Sequence, residues 1–188
     1  MQRPRNQPPT GGPRQGNGGP TGVSPQIELG NAEETDLGAE VYDVIFGQSV
    51  WEHIEHWELA TEKVYRALKT GGVFVFSSTN KFSLTSGEYA FPLYGWLPDR
   101  WRYRLRVARQ GAEVMKLGID FNQFRYPQLR RVFRRIGFSR IYDRVELSRP
   151  EETSTPLRRI VVQAAKASSL IKAIALTFAD ATVFVCVK

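Results

Sequence analysis

The 188 residues contain one cysteine, two histidines and few acids at one end. A single thiol, Cys186, builds neither a disulfide framework nor a cysteine-based zinc site. His53 and His56 stand three apart with no third ligand close in sequence, so no metal site is expected. Nowhere does an apolar run approach the ~18 residues that a membrane-spanning helix needs, and the first residues, Met-Gln-Arg-Pro-Arg-Asn, lack the apolar stretch of a signal peptide. These absences predict a soluble, cytoplasmic protein. The formal charge is +7, but residues 1–25 carry Arg3, Arg5 and Arg14 without an acid, which leaves 23 − 19 = +4 for the remaining 163 residues. That balance permits a nucleic-acid partner without requiring one.

What is present divides the chain at about residue 25. Pro, Gly, Gln and Asn fill 17 of the first 25 positions, and only Met1 and Val23 there are hydrophobic. Such a leader cannot bury enough apolar surface to offset its ordering entropy, so disorder is expected. From Gln26 onward, strand and helix patterns alternate. Ile27–Leu29 is a short strand candidate followed by a polar turn. Tyr42–Gly47 is a near-continuous apolar run of the kind that suits a strand covered on both faces. Trp57, Ala60, Val64 and Leu68 form one helical stripe that Gly71-Gly72 terminates, and Val73–Phe76 reads as a buried strand.

Pro127, then Leu129, Val132, Phe133 and Ile136, then Gly137, describe a helix punctuated at both ends. Phe138–Leu147 reads as a strand, Pro156 to about Thr177 as one helix, and Ala181–Val187 as a closing strand. The alternation predicts an α/β sheet with helices on both faces. Residues 81–122 interrupt it with Phe82, Tyr89, Phe91, Tyr94, Trp96, Trp101 and Tyr103, interleaved with arginines. This insertion follows a strand's carboxyl end, where open α/β sheets place ligands, which makes Asn80, Tyr94 and Trp96 candidate substrate contacts. The run Arg100, Arg102, Arg104, Arg106, Arg109 alternates as a strand would, and helix and strand both stay open. Functionally it is either a solvated basic face or a holder of anionic substrate or nucleic acid.

Three segments together resemble the second half of class I S-adenosylmethionine-dependent methyltransferases of the small-molecule type: Asn31-Ala32-Glu33, Tyr42-Asp43-Val44-Ile45-Phe46-Gly47 through Glu52-His53-Ile54, and Leu68-Lys69-Thr70-Gly71-Gly72-Val73-Phe74. The resemblance implies a Rossmann-like domain over 26–188 and S-adenosylmethionine as cofactor. Asn31 and Ala32 resemble the adenine-recognising pair, with Asn in place of the usual Asp, and Glu33 follows them. Gly47 and Gln48 match the positions beside the methionine part of the cofactor. Gly47 is thus either a cofactor approach or a plain strand ending. Glu52-His53 is similar to the family's acid and His pair beside the cleft, and His53 reads either as a general base or as a capping or surface group.

Gly11-Gly12 and Gly18-Gly19 follow no strand and precede no helix, so they do not make the family's glycine-rich cofactor loop. The resemblance therefore implies a partial domain lacking the first strands and that loop, with a small-molecule, lipid or glycan acceptor. The alternatives are a non-catalytic interaction module and, less favoured, a basic nucleic-acid-binding domain. In the resembling fold the strands run 3-2-1-4-5-7-6. Tyr42–Phe46 would then be an exposed edge through which copies associate.

Overall fold

The protein is described from a computed structural model covering residues 26–85, 91–112, 122–153 and 155–188. The expected leader over 1–25, Tyr89 and part of the aromatic insertion lie outside these residues. The chain forms two units, Met1–Thr35 and Asp36–Lys188.

In the described part of the first unit, Ile27–Leu29 is not a strand, and Ile27 and Leu29 are exposed. Three alternating residues contain the pattern of a strand but nothing that compels pairing. The polar turn does form. The Asn31 carbonyl accepts the N–H groups of Glu34 and Thr35, while the Asn31 side-chain oxygen accepts that of Glu33 at 3.0 Å.

The second unit holds strand β1 (Tyr42–Gln48), helix α1 (Trp57–Ala67), β2 (Leu68–Thr79), α2 (Asp99–Gln110), α3 (Tyr126–Ile136), β3 (Arg140–Asp143), α4 (Arg144–Leu147), α5 (Pro156–Ala167), α6 (Ser169–Thr177) and β4 (Ala181–Val187). The sheet order is β1-β2-β4-β3. β1 and β2 are parallel, and β4 is antiparallel to both its neighbours. This is the 4-5-7-6 half of the order that the resemblance implied.

One face of the sheet is packed, and among the described residues the other is only partly covered. Phe74, Phe76, Phe184 and Cys186 are fully buried beneath α1 and α3, with Trp57, Val64, Leu129 and Phe133 in the same cluster. Burial pushes the Cys186 thiol up to about 12, so this sulfur is an inert core group. On the opposite face Val73, Val75, Val183 and Val185 are only half-buried, and Val44 and Phe46 are exposed, Phe46 at 73%. The expectation that the Tyr42–Gly47 run is covered on both faces is therefore corrected: β1 is an edge strand, and its outer side chains stand free of a helix. The run is apolar because alternate residues serve two faces, and only one face here is roofed.

Three further expectations are corrected, and the arginine run, left open above, takes one of its two forms. Gly71-Gly72 does not end α1, which stops at Ala67; residues 69–72 instead bulge out within β2 opposite Asp43. Gly71 takes φ +79°, and a Cβ on Gly72 would meet the Lys69 carbonyl at 2.8 Å, so the bulge requires both glycines. The Lys69 ammonium holds it against the Asp43 carboxylate at 2.8 Å.

The strand expected over Phe138–Leu147 ends at Asp143, whose carboxylate accepts the N–H groups of Val145 and Glu146 and starts α4 as a capping box. The helix expected over 156–177 is two helices, broken where Ser168 turns extended and its hydroxyl accepts the Ile171 N–H. The arginine run is helical, not a strand, because Pro98 and Asp99 open α2 and Gly111 closes it with φ +82°. Its alternating residues consequently spread around the helix.

Candidate functional site

The carboxyl ends of β1 and β2 lie side by side, with Gln48 opposite Ser77 in register. After Gln48 the chain turns sharply. Ser49 adopts φ +51° and donates its N–H to the Ser77 carbonyl at 2.8 Å. A 3-10 turn, Trp51–His53, then folds back against the strand ends. The Trp51 indole N–H donates to the Gly47 carbonyl at 3.1 Å, and its ring packs on Phe74 and Phe76 with centroids 5.3 and 5.8 Å away. A Cβ on Gly47 would sit 2.1 Å from the indole nitrogen. Gly47 thus makes room for Trp51, a requirement that neither sequence reading anticipated.

Trp51 in turn fixes Glu52, which is 1% exposed. Ser78 donates its hydroxyl to one Glu52 carboxylate oxygen, Oε2, at 2.6 Å, while Oε1 is buried with no hydrogen-bond partner among the described residues. A carboxylate in this position accepts, and an ammonium or amide brought to Oε1 would complete its bonding. The next residue, His53, is half-buried. The segment at 122–124 closes over this turn. Asn122 donates its N–H to the Glu52 carbonyl and its amide to the Ile54 carbonyl, and Lys81 donates its N–H to the Phe124 carbonyl.

Among the sequence-predicted site residues, the structure brings Gly47, Gln48 and His53 together at the end of β1, with Gln48 exposed. Asn31, Ala32 and Glu33 belong to the other unit, where Asn31 and Ala32 are exposed. Asn80 has a different task from the substrate contact expected of it. Its amide donates to the carbonyls of Leu176, Thr177 and Ala179 at 2.9–3.1 Å, satisfying the open carboxyl end of α6. Tyr94 is buried beneath the Arg102 guanidinium, which lies 5.7 Å from its ring. Only Trp96 of the three substrate candidates presents its ring outward, stacked on Phe178 at 6.1 Å with its N–H donated to the Ser83 carbonyl.

Ser78 escaped the sequence reading, as did the burial of Glu52, which the resemblance had only paired with His53 beside the cleft. The available signal was an acid one turn beyond an apolar strand, but a strand-end acid usually faces solvent. Elsewhere, a cavity of about 540 Å³ lies against β3 and α5, lined by Tyr142, Glu146 and Lys172 among others. Two of its polar groups are committed to each other: Lys172 pairs with Glu146, and with Asp143 beneath it. Burial works against the Lys172 charge, but these two carboxylates outweigh it and hold the ammonium above its ordinary value. Among the described residues no group of three His, Cys, Asp or Glu side chains is placed to hold a metal ion, and no helix is long and apolar enough to cross a membrane.

A family model described as a methyltransferase domain matches residues 13–76. No curated protein sequence matches the chain. Similar solved structures include an S-adenosylmethionine-dependent methyltransferase from Mesorhizobium loti, 14% identical with a TM-score of 0.49, covering 86% of this chain and 68% of that one. Another, from Thermotoga maritima and described as a possible histamine N-methyltransferase, is 16% identical with a TM-score of 0.46, covering 85% and 62% respectively. A third is phosphoethanolamine N-methyltransferase 2 from Haemonchus contortus in complex with S-adenosyl-L-methionine, 16% identical with a TM-score of 0.44. The alignment covers 84% of this chain and spans 35% of the Haemonchus enzyme. The family match takes in β1 and most of β2, the strands on which the sequence resemblance rests, so over residues 13–76 the chain is similar to a methyltransferase domain.

Proposed function

We propose that the protein binds S-adenosylmethionine and takes part in moving its methyl group to a small-molecule acceptor, of lipid or glycan type. The observation that carries this reading is the sheet order β1-β2-β4-β3 with an antiparallel β4, joined to a family match over its first two strands. The residues fit one portion of such a cofactor. Gln48 and half-buried His53 offer polar groups at the end of β1, and the orphaned Glu52 Oε1 suits an ammonium donor. Asn31, Ala32 and Glu33 are assigned to the adenosine portion. The glycine-rich turn that supports this cofactor in the resembling fold has no counterpart among the described residues.

The cofactor supplies an electrophilic methyl group. Transfer needs an acceptor lone pair in line with the breaking sulfur–carbon bond, and the acceptor's proton, where it has one, leaves to a base or to water. Positioning does most of the work, and in this reading half-buried His53, at the end of β1, is the base that takes that proton. Titration calorimetry with S-adenosylmethionine is the test. One-to-one binding is expected, with Asn31→Ala weaker by about 1–3 kcal/mol through a lost polar contact. His53→Ala is expected to weaken binding modestly and to lose transfer. Absence of heat with the folded chain would overturn the reading.

A second reading, an interaction module, is favoured by one observation: β1 has an open edge beside exposed Val44 and Phe46. Unpaired backbone and apolar side chains on an edge template association between copies. Analytical ultracentrifugation should show self-association that Val44→Lys abolishes. A parent chain that stays monomeric at high concentration removes this reading.

A further inference from the structure

The two helices α5 and α6 are built inside out. On α6 the one cation, Lys172, points inward to Asp143 and Glu146, while Leu170, Ile171 and Ile174 face outward. On α5 the outward stripe is Leu157, Ile160 and Val161, and the contact face is small, with Ala165 buried. Leu157 is 72% exposed and Leu170 69%. The stripe reaches Phe178, which stacks on Trp96, so aromatic side chains from the insertion continue it. A pair of helices that turns Lys172 inward and leaves its aliphatic residues outward has a partner in view.

Charge identifies the partner. Residues 153–179 contain Arg158, Arg159, Lys166 and Lys172 and no acid. On α2, exposed Arg100, Arg104 and Arg109 accompany exposed Trp101, and no acid occurs over 100–112. Exposed Arg158, Arg159 and Lys166 on the helix that carries half of the apolar stripe, with the Trp96 indole at the stripe's end, match the interface of an anionic bilayer: acyl chains take the stripe, headgroup phosphates take the cations, and the indole sits between. A face shared with a second copy of this chain would bring like charges together.

We propose that α5 and α6, with Trp96 and Phe178, form an interfacial surface that lies flat on an anionic lipid membrane. The helices have 12 and 9 residues and lie on the bilayer without crossing it. The surface is tied to the candidate site, because Asn80, the residue after β2, bonds the carboxyl end of α6. The proposal does not depend on methyl transfer.

Flotation of the full chain with extruded vesicles tests it, using phosphatidylcholine alone and phosphatidylcholine mixed equally with phosphatidylglycerol. Partition onto the anionic vesicles is expected to be at least about tenfold stronger, to weaken with salt, and to shift tryptophan emission to the blue. Ile160→Gln with Ile174→Gln should lower partition by about tenfold or more without altering the circular dichroism. Should that pair disturb folding, Leu157→Ser at the exposed start of α5 replaces it. Equal partition onto both vesicle types, unchanged partition of the glutamine variant, or a parent dimer that this variant makes monomeric would each overturn the proposal.

Discussion

Replacing Phe76 by alanine is expected to remove about 3–5 kcal/mol of folding stability, most of what a domain of this size commands. The ring is fully buried, and its neighbours are themselves large: Trp51, Phe74, Phe124 and Phe133 surround it with centroids 5.3–6.0 Å away. Rings fixed by one another relax poorly into a void, so the lost transfer energy and the cavity add. The same change loosens the candidate site, since Trp51 carries the turn with Glu52 and His53, and Phe124 follows the residues that close it. Phe46→Thr is the matching control on the open face of the same sheet, where the expected change stays within about 0.5 kcal/mol. Urea denaturation of both variants in dilute solution decides the matter. A Phe76→Ala loss below about 1 kcal/mol would mean that the buried face is not the core.

These two phenylalanines show what the sequence discloses and what it conceals. Both stand in short apolar runs, Tyr42–Gly47 and Val73–Phe76, and the runs themselves announce strands. Nothing in either run says which face is roofed, because that depends on where distant helices settle. Helix α1 was legible from its stripe, and α3 from its stripe and terminal residues, since those signals act within one or two turns. The break at Ser168 and the cap at Asp143 were also written locally, as Ser-Ser and as Asp-Arg-Val-Glu. Continuous apolar periodicity on either side masked both.

At the candidate site the legible residues were those of the β1 end, Gly47, Gln48 and His53. The reason Gly47 must be glycine lies four residues on, in Trp51, and the Glu52–Ser78 contact joins residues 26 apart in sequence. Such pairings are tertiary facts with no local signature. The outward stripe of α5 and α6 is another such case: its periodicity marks a helix without saying which side is covered, and the inward placement of Lys172 shows that the stripe faces out.

The buried carboxylate of Asp143 is the second position where one substitution should matter greatly. It is 0% exposed and takes four donors: the Arg130 guanidinium at 3.1 Å, the Lys172 ammonium at 2.6 Å, and the N–H groups of Val145 and Glu146. Through them it joins β3, α3, α4 and α6. Asp143→Ala removes a helix cap of about 1 kcal/mol and strips two partly buried cations of their shared anion, for a total of about 3–5 kcal/mol. Asp143→Asn keeps the acceptor for the cap and loses the charge, so its cost should fall clearly below that of alanine. Glu146 cannot compensate in full. Burial raises its pKa, but the bond from Lys172 and the Asp143 N–H outweigh this and hold it below the ordinary carboxylate value. Its contribution is therefore present above about 4.5 and fades as the pH falls through the lowered folded-state value. Thermal denaturation at neutral pH should rank parent, Asp143→Asn and Asp143→Ala in falling order. Equal melting of parent and alanine variant would show that α6 is held by its apolar contacts alone, and that Lys172 points inward for some reason other than Asp143.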